Sequence, residues 1–375
     1  MLERHHIALA LGALALATAA SACAGGSDTV PGTGGSATTS SSGSTGGGTT
    51  SSSASSGGAG GTGGAPVSAC KPSDDVVLAV KQLYFGDTNW DDTMNTTEGW
   101  KQYGLDIDGK TSVATSTDLC LPAGGGAASV AYPDAPGGVD NSFGKNVLPV
   151  FLQNIPILSQ QANNALANGD FSILIRLVKL GPGAEQGNIP AKVYGGAYLP
   201  TTPFFDGTDC WPATPESLST PTDIESAKLS FPASTMTLNR WDSVSTGDLE
   251  LTLQLLGFQG KAIIHHARIV MELDADHKGT QKGIISGVLD TEEFVAAINQ
   301  LMFAFDPKNC SGNTPIVQEI DTKLRQASDI MADGTQNPAA TCTGISIGLG
   351  FKAAAVQFGP IGDPLVPPAD PCATP

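Results

Sequence analysis

The residues best suited to chemistry are oxygen donors at calcium-loop spacing. In Asp87-Thr88-Asn89-Trp90-Asp91-Asp92, with Glu98 beyond, donors stand at positions 1, 3, 5 and 12 of the pattern D-x-[DN]-x-[DN]-G-x5-E. A hard cation such as calcium takes about six to eight oxygens, and a loop of this spacing can supply most of them. The match departs at Asp92, where the sharp turn calls for Gly, and Val76 to Val80 ahead of it reads as a strand, not an entering helix. Asp106 and Asp108 in Asp106-Ile107-Asp108-Gly109, with Asp134, Asp140 and Asn141, would add donors if folding brings them near. The competing reading is plain turns, because Asp and Asn side chains bond their own backbone. Asp274-Ala275-Asp276-His277 is a further acidic turn, expected at a hairpin tip.

Catalytic signatures are scarce. Beyond the first 22 residues only His265, His266 and His277 remain, and on a strand His265 and His266 should point to opposite faces, one buried and one exposed. No G-x-S-x-G, H-E-x-x-H or G-x-x-x-x-G-K-[ST] is present, and Gly124-Gly125-Gly126 reads as a plain loop. A glycan hydrolase working through paired carboxylates would leave no local motif. Trp90, Trp100, Tyr103, Tyr132, Tyr194, Tyr198, Trp211 and Trp241 could stack on sugar or pack the core.

The chain that must position these groups has 375 residues and a net charge of -17, which repels nucleic acid and anionic lipid. Residues 1–22 read as a signal peptide: a polar start, an Ala/Leu run from Ile7 to Thr18, then Ala19-Ala20-Ser21-Ala22. Cys23, followed by Ala24-Gly25-Gly26, resembles the lipidated position of a bacterial lipobox, so the membrane is expected as a partner through a lipid anchor only. Residues 24–67 are almost only Gly, Ser, Thr and Ala, a tether spanning roughly 35 to 40 Å. The expected address is the outer membrane or cell surface, with a periplasmic or secreted form as the alternative.

Residues 68–375 form the expected globular part. Six cysteines there imply disulfides in an exported chain. The expected pairs are Cys310 with Cys342, flanking one helix; Cys70 with Cys372, stapling the ends; and Cys120 with Cys210, by elimination. Period-two alternation at Leu249, Leu251, Leu253 and Leu255, and at Ile269, Met271 and Leu273, predicts antiparallel strands within a meander over 248–289. Phe171 to Leu180 and Ile345 to Phe358 read as strands apolar on both faces. Helices are expected at Ile157 to Asn168, after Asp290 with Glu293 completing a capping box, and from Thr314-Pro315 to Asp333-Gly334. The expected fold is mainly β with packing helices (α+β), with β-sandwich-like antiparallel sheets; the alternative is a β-barrel or clam-like carrier.

Over its length the chain resembles uncharacterised myxobacterial-type secreted lipoproteins. The resemblance rests on the Ser/Gly/Thr tether and on the strings Phe85 to Asn89, Gly104 to Gly109, Val139 to Gly144 and Ala327 to Met331. It implies an address and no activity. The functional expectation is a non-catalytic binding or structural module of the envelope, calcium-stabilised, with a polysaccharide or other envelope component as partner. The alternatives are a glycan hydrolase and an apolar-ligand carrier.

Overall fold

Alternating apolar side chains build ten strands among the described residues: β1 (Val76–Tyr84), β2 (Ser172–Leu177), β3 (Gln186–Gly196), β4 (Cys210–Ala213), β5 (Leu229–Thr237), β6 (Arg240–Asp242), β7 (Gly247–Leu255), β8 (Phe258–Leu273), β9 (Gly279–Asp290) and β10 (Gly344–Ile361). The computed structural model describes residues 70, 73–255, 258–366 and 370–373. The expected signal peptide, Cys23 and the tether lie outside them.

All ten strands belong to one sheet. Antiparallel pairing runs from β1 through β2, β3, β5, β6, β8, β9 and β10, and β10 pairs back onto β1. Strand β4 sits between β3 and β10 and is parallel to β10, and β7 pairs only with β8. The three-residue β6 and the single β3–β4 pair at Gly196 and Ala213 make this a rolled mixed sheet, not a regular barrel.

One core fills the roll. Leu78, Val80, Ile173, Ile175, Val193, Phe231, Trp241, Ile269, Leu349 and Phe351 share it, each contributing about 1.5 to 3 kcal/mol on burial. The intervening Val77, Ala79, Leu174, Tyr194 and Val356 face the other way and pack with Trp211, Leu199, Leu218 and Phe205. That second packed face is why β1, β2 and β10 read as apolar on both sides. A small cavity between Leu83, Phe171, Ile173, Gly195, Thr214 and Leu251 measures about 40 Å³. It has room for about three waters and for no acyl chain.

Five α-helices are described: α1 (Ala128–Ala131), α2 (Leu148–Asn154), α3 (Leu158–Asn168), α4 (Thr291–Phe305) and α5 (Pro315–Gln326). Helix α3 stops at Gly169, whose φ of 83° suits a left-handed cap. Asp290 caps α4 by accepting from the amides of Glu292 and Glu293, while the Glu293 carboxylate turns to His265 instead of closing a capping box. Helix α5 ends at Gln326, short of the expected Asp333-Gly334. The buried polar side chains of Ser328 and Asp329 bond Thr291 and Ser346, and Ile330 pairs with Gly344, so the chain leaves the helix to join the sheet.

All three expected disulfides are replaced by others: Cys70–Cys210, Cys120–Cys342 and Cys310–Cys372. The reason is tertiary. Val77 pairs with Val356 while Gln357 pairs with Cys210, so the chain entering β1 comes beside the start of β4. Leu121 exchanges backbone hydrogen bonds with Ala340 and Cys342, which sets Cys120 beside Cys342 rather than Cys210. Cys310 is left for the C-terminal segment. The histidine expectation holds only in part: His265 is half-buried and bonded to Glu293 and His266 is exposed, but the two do not alternate across the strand. Ile264 and Ala267 are both fully buried, so His265 and His266 fall together outside the core, with His266 at a φ of 52° in a bulge that breaks the period of two.

Candidate metal centre

Between β1 and β2 the chain has no strand to organise it, and buried polar groups do so instead. Asn141 is the hub. Its Nδ2 donates to the carbonyls of Trp100, Tyr103 and Gly348, and its Oδ1 accepts from the amides of Gly144 and Gly348. Ser142 bonds Ser346 and Ala327, and the Asp329 carboxylate accepts from the amide and hydroxyl of Ser346. At Gly348 on β10, an added Cβ would lie 2.4 Å from the Tyr103 carbonyl, so only glycine allows this approach. Segments 104–109, 139–144 and 327–331 thus meet at one end of the sheet.

Three carboxylates converge there. One oxygen each of Asp106, Asp108 and Asp140 lies within 4.8 Å of the others, the one such group of three found among the described residues. Local turns hold the first two: Asp106 Oδ1 accepts from the Gly109 amide and Asp108 Oδ1 from the Lys110 amide. Asp108 Oδ2 accepts from Gln336, whose own oxygen takes the Cys120 amide. Asp140 is buried, and its Oδ2 accepts from the Ile107 amide at 2.6 Å. Gly138, at a φ of 75°, brings the second loop against Lys110 and Asp106. Asp106 Oδ2 and Asp140 Oδ1 accept no hydrogen bond from the described residues.

The electrostatics are unbalanced. Burial, with the charges of Asp329 and Asp108 added, pushes the Asp140 carboxyl up to about 9. Burial likewise raises Asp329 to about 7 and Asp134 to about 6, although the amide of Ser112 bonds Asp134. The nearby cation is Lys145, which donates to the Pro133 carbonyl and lies 5.5 Å from the Trp100 ring. Burial pulls its ammonium below the ordinary value, against the pull of Asp329 and Asp134. One lysine among five acids is a strong bias toward an added cation.

The loop at 87–98 does not join this group. Thr88 and Met94 bridge across it, Asp91 caps Thr93, and Glu98 pairs with Lys101. Asn89 Oδ1 accepts from the side-chain Nδ2 of Asn95 and Nε2 of Gln102, leaving it a poor ligand. Asp92 takes the left-handed conformation the pattern reserves for Gly, at a φ of 66°, and accepts from Tyr84. Asp87 is buried, and its Oδ1 has no hydrogen-bond partner among the described residues. Of the nine candidate ligands, Asp106, Asp108 and Asp140 form the cluster; Asp134 adds charge, and Asn141 is a scaffold. Sequence reasoning passed over Gln336, Lys145 and Asp329, which support the cluster from distant segments.

The aromatic residues are spent on packing. Trp100, Tyr103, Tyr132, Tyr194, Trp211 and Trp241 are buried, Trp90 packs on Tyr84 and Tyr103, and Tyr198 stands exposed. His277 is buried at its hairpin tip and bonds Asn239. The cavity beside Leu83 and the groove at Thr235, Arg240 and Glu272 are lined by residues other than the clustered acids. No known protein family, no curated protein and no solved structure matches the chain. No helix among the described residues is long and apolar enough to cross a membrane.

Proposed function

We propose that the chain is a non-catalytic binding or structural module of the cell envelope, displayed outside the cytoplasm on a lipid anchor at Cys23. Its loop-built end takes calcium between Asp106, Asp108 and Asp140. The observation that carries the calcium reading is the convergence of these carboxylates within 4.8 Å, one of them buried, with two oxygens that accept no hydrogen bond from the described residues. A hard divalent cation would relieve their mutual repulsion, with backbone carbonyls and water completing its shell. Three disulfides support the exported address. With most of the aromatic faces buried and Tyr198 exposed, an envelope partner such as a polysaccharide would be met mainly by polar loops.

The test is a thermal melt of the mature chain, stripped with chelator and titrated with calcium. The melting temperature should rise with calcium, and both Asp106→Asn and Asp140→Asn should abolish the rise. Asp106 is exposed, so its variant remains informative if the Asp140 variant fails to fold. No rise, or a rise that survives Asp106→Asn, would remove calcium from the reading.

A further inference from the structure

We propose that His265 is a proton-operated clamp, its imidazolium tying the β7–β8 hairpin to helix α4 by bonding Asp248 and Glu293 at once. Nδ1 lies 3.2 Å from Asp248 Oδ1 on β7, and Nε2 lies 3.1 Å from Glu293 Oε2 on α4. A neutral imidazole carries one N–H, so it can serve one carboxylate while its other nitrogen presents a lone pair to the second. Only the doubly protonated ring satisfies both. The bulge that turns His265 and His266 out of the core is what sets the ring between the two acids.

Among the described residues no other charged group competes for the ring. On β9, its register partner Val288 carries no charge. On α4, Glu292 is committed to Arg325, and Asp290 caps the helix. Within the hairpin, Arg268 is held by Asp242, Glu250 by Lys261 and Lys228, and His266 feels Asp333. Burial pulls His265 down, but Glu293 and Asp248 outweigh it and hold the ring above its ordinary value. The clamp is therefore fully formed below the unfolded value of 6.5 and is lost as pH rises through the folded one.

Strand β7 is the natural element for such control. It hydrogen-bonds to β8 alone, and its Leu249 and Leu251 help close the small cavity beside Leu83. Releasing the clamp loosens the edge of the core without disturbing the rest of the sheet.

The experiment is amide hydrogen exchange on the intact chain between pH 6 and 9, corrected for the intrinsic rate, with ring titration of His265 by NMR. Protection of β7 and the first turn of α4 should fall several-fold across that range while β2 stays constant. His265→Gln should remove the pH dependence, and Glu293→Gln should lower the titration midpoint of the ring. Should His265→Gln misfold, Glu293→Gln and Asp248→Asn carry the test through the midpoint. An unchanged midpoint in both, or a pH-independent wild-type β7, would overturn the clamp.

Discussion

Two sets of carboxylates in this molecule are treated in opposite ways. In the strand-built body burial pushes Asp242 and Asp75 up, but Arg268 at the first, and the Lys179 amide together with Arg176 at the second, more than reverse it, so both are held below the usual carboxylate range. Arg268 grips Asp242 with two bonds of 3.0 and 2.7 Å, and Arg176 reaches Asp75 at 2.6 Å. In the loop-built end Asp134, Asp140 and Asp329 are pushed up, with backbone amides, serine hydroxyls and one lysine as their main relief. The strands bring their own counter-charges as cross-strand neighbours. The loops do not, and they rely on polar satisfaction and on what binds from outside.

The largest expected effect tests whether polar bonds hold the loop end as apolar contacts hold the sheet. Asn141→Ala removes five hydrogen bonds from a buried site and leaves their partners unpaired. It should destabilise by about 4 kcal/mol or more, at the upper end of the ~2 to 5 kcal/mol expected for the core truncation Ile175→Ala. Urea unfolding of both variants makes the comparison. A loss below about 1 kcal/mol for Asn141→Ala would show that the loop end has another support.

The two regions were also unequally legible in the sequence. Strands β2 and β10 and helix α3 fall within a few residues of where periodicity and the Asn168-Gly169 stop place them, because an apolar pattern is a local property that one packed face enforces. The helix that stops at Gln326 was overrun because Ile330 and Met331 continue its apolar stripe, while the reason for stopping lies in Ser346 and Gly344 on another element. The bulge at His266 depends on pairing with β9. The acid cluster joins residues 106 and 108 to residue 140 across a turn that only Gly138 permits, and the disulfides follow from which strands meet at β10. Contact between distant segments leaves no periodic trace, so the residue types of the site were readable and their grouping was not.

A smaller effect sharpens the boundary between the regions. In Gly348→Ala the new methyl would sit 2.4 Å from the Tyr103 carbonyl and 2.6 Å from Gly104 Cα, so the loop end must shift off β10. The expected cost is about 1 to 3 kcal/mol, with loss of near-ultraviolet dichroism from the buried Trp100 and Tyr103. Gly187→Ala on β3 meets nothing within 4 Å and should leave both readings unchanged. Equal effects of the two substitutions would mean that strain at the strand, not the docked loop, is being measured.

The smallest effect concerns the strand-built acids, and its sign follows from their pairing. The Asp242 carboxyl lies below its ordinary value of 3.8 in the fold, so its bond to Arg268 adds stability above that pH and loses it as pH falls through the folded value. The Arg268 side chain is 40% exposed, so solvent screens the pair and about 1 kcal/mol or less is expected. Asp242→Asn keeps an oxygen for the Val244 amide and removes the charge. Wild type should therefore exceed Asp242→Asn in urea unfolding at pH 7, and the gap should close toward pH 3. A gap that persists at low pH would show that the stabilisation does not depend on the Asp242 charge, and the body's carboxylates would then owe less to their arginines than the geometry implies.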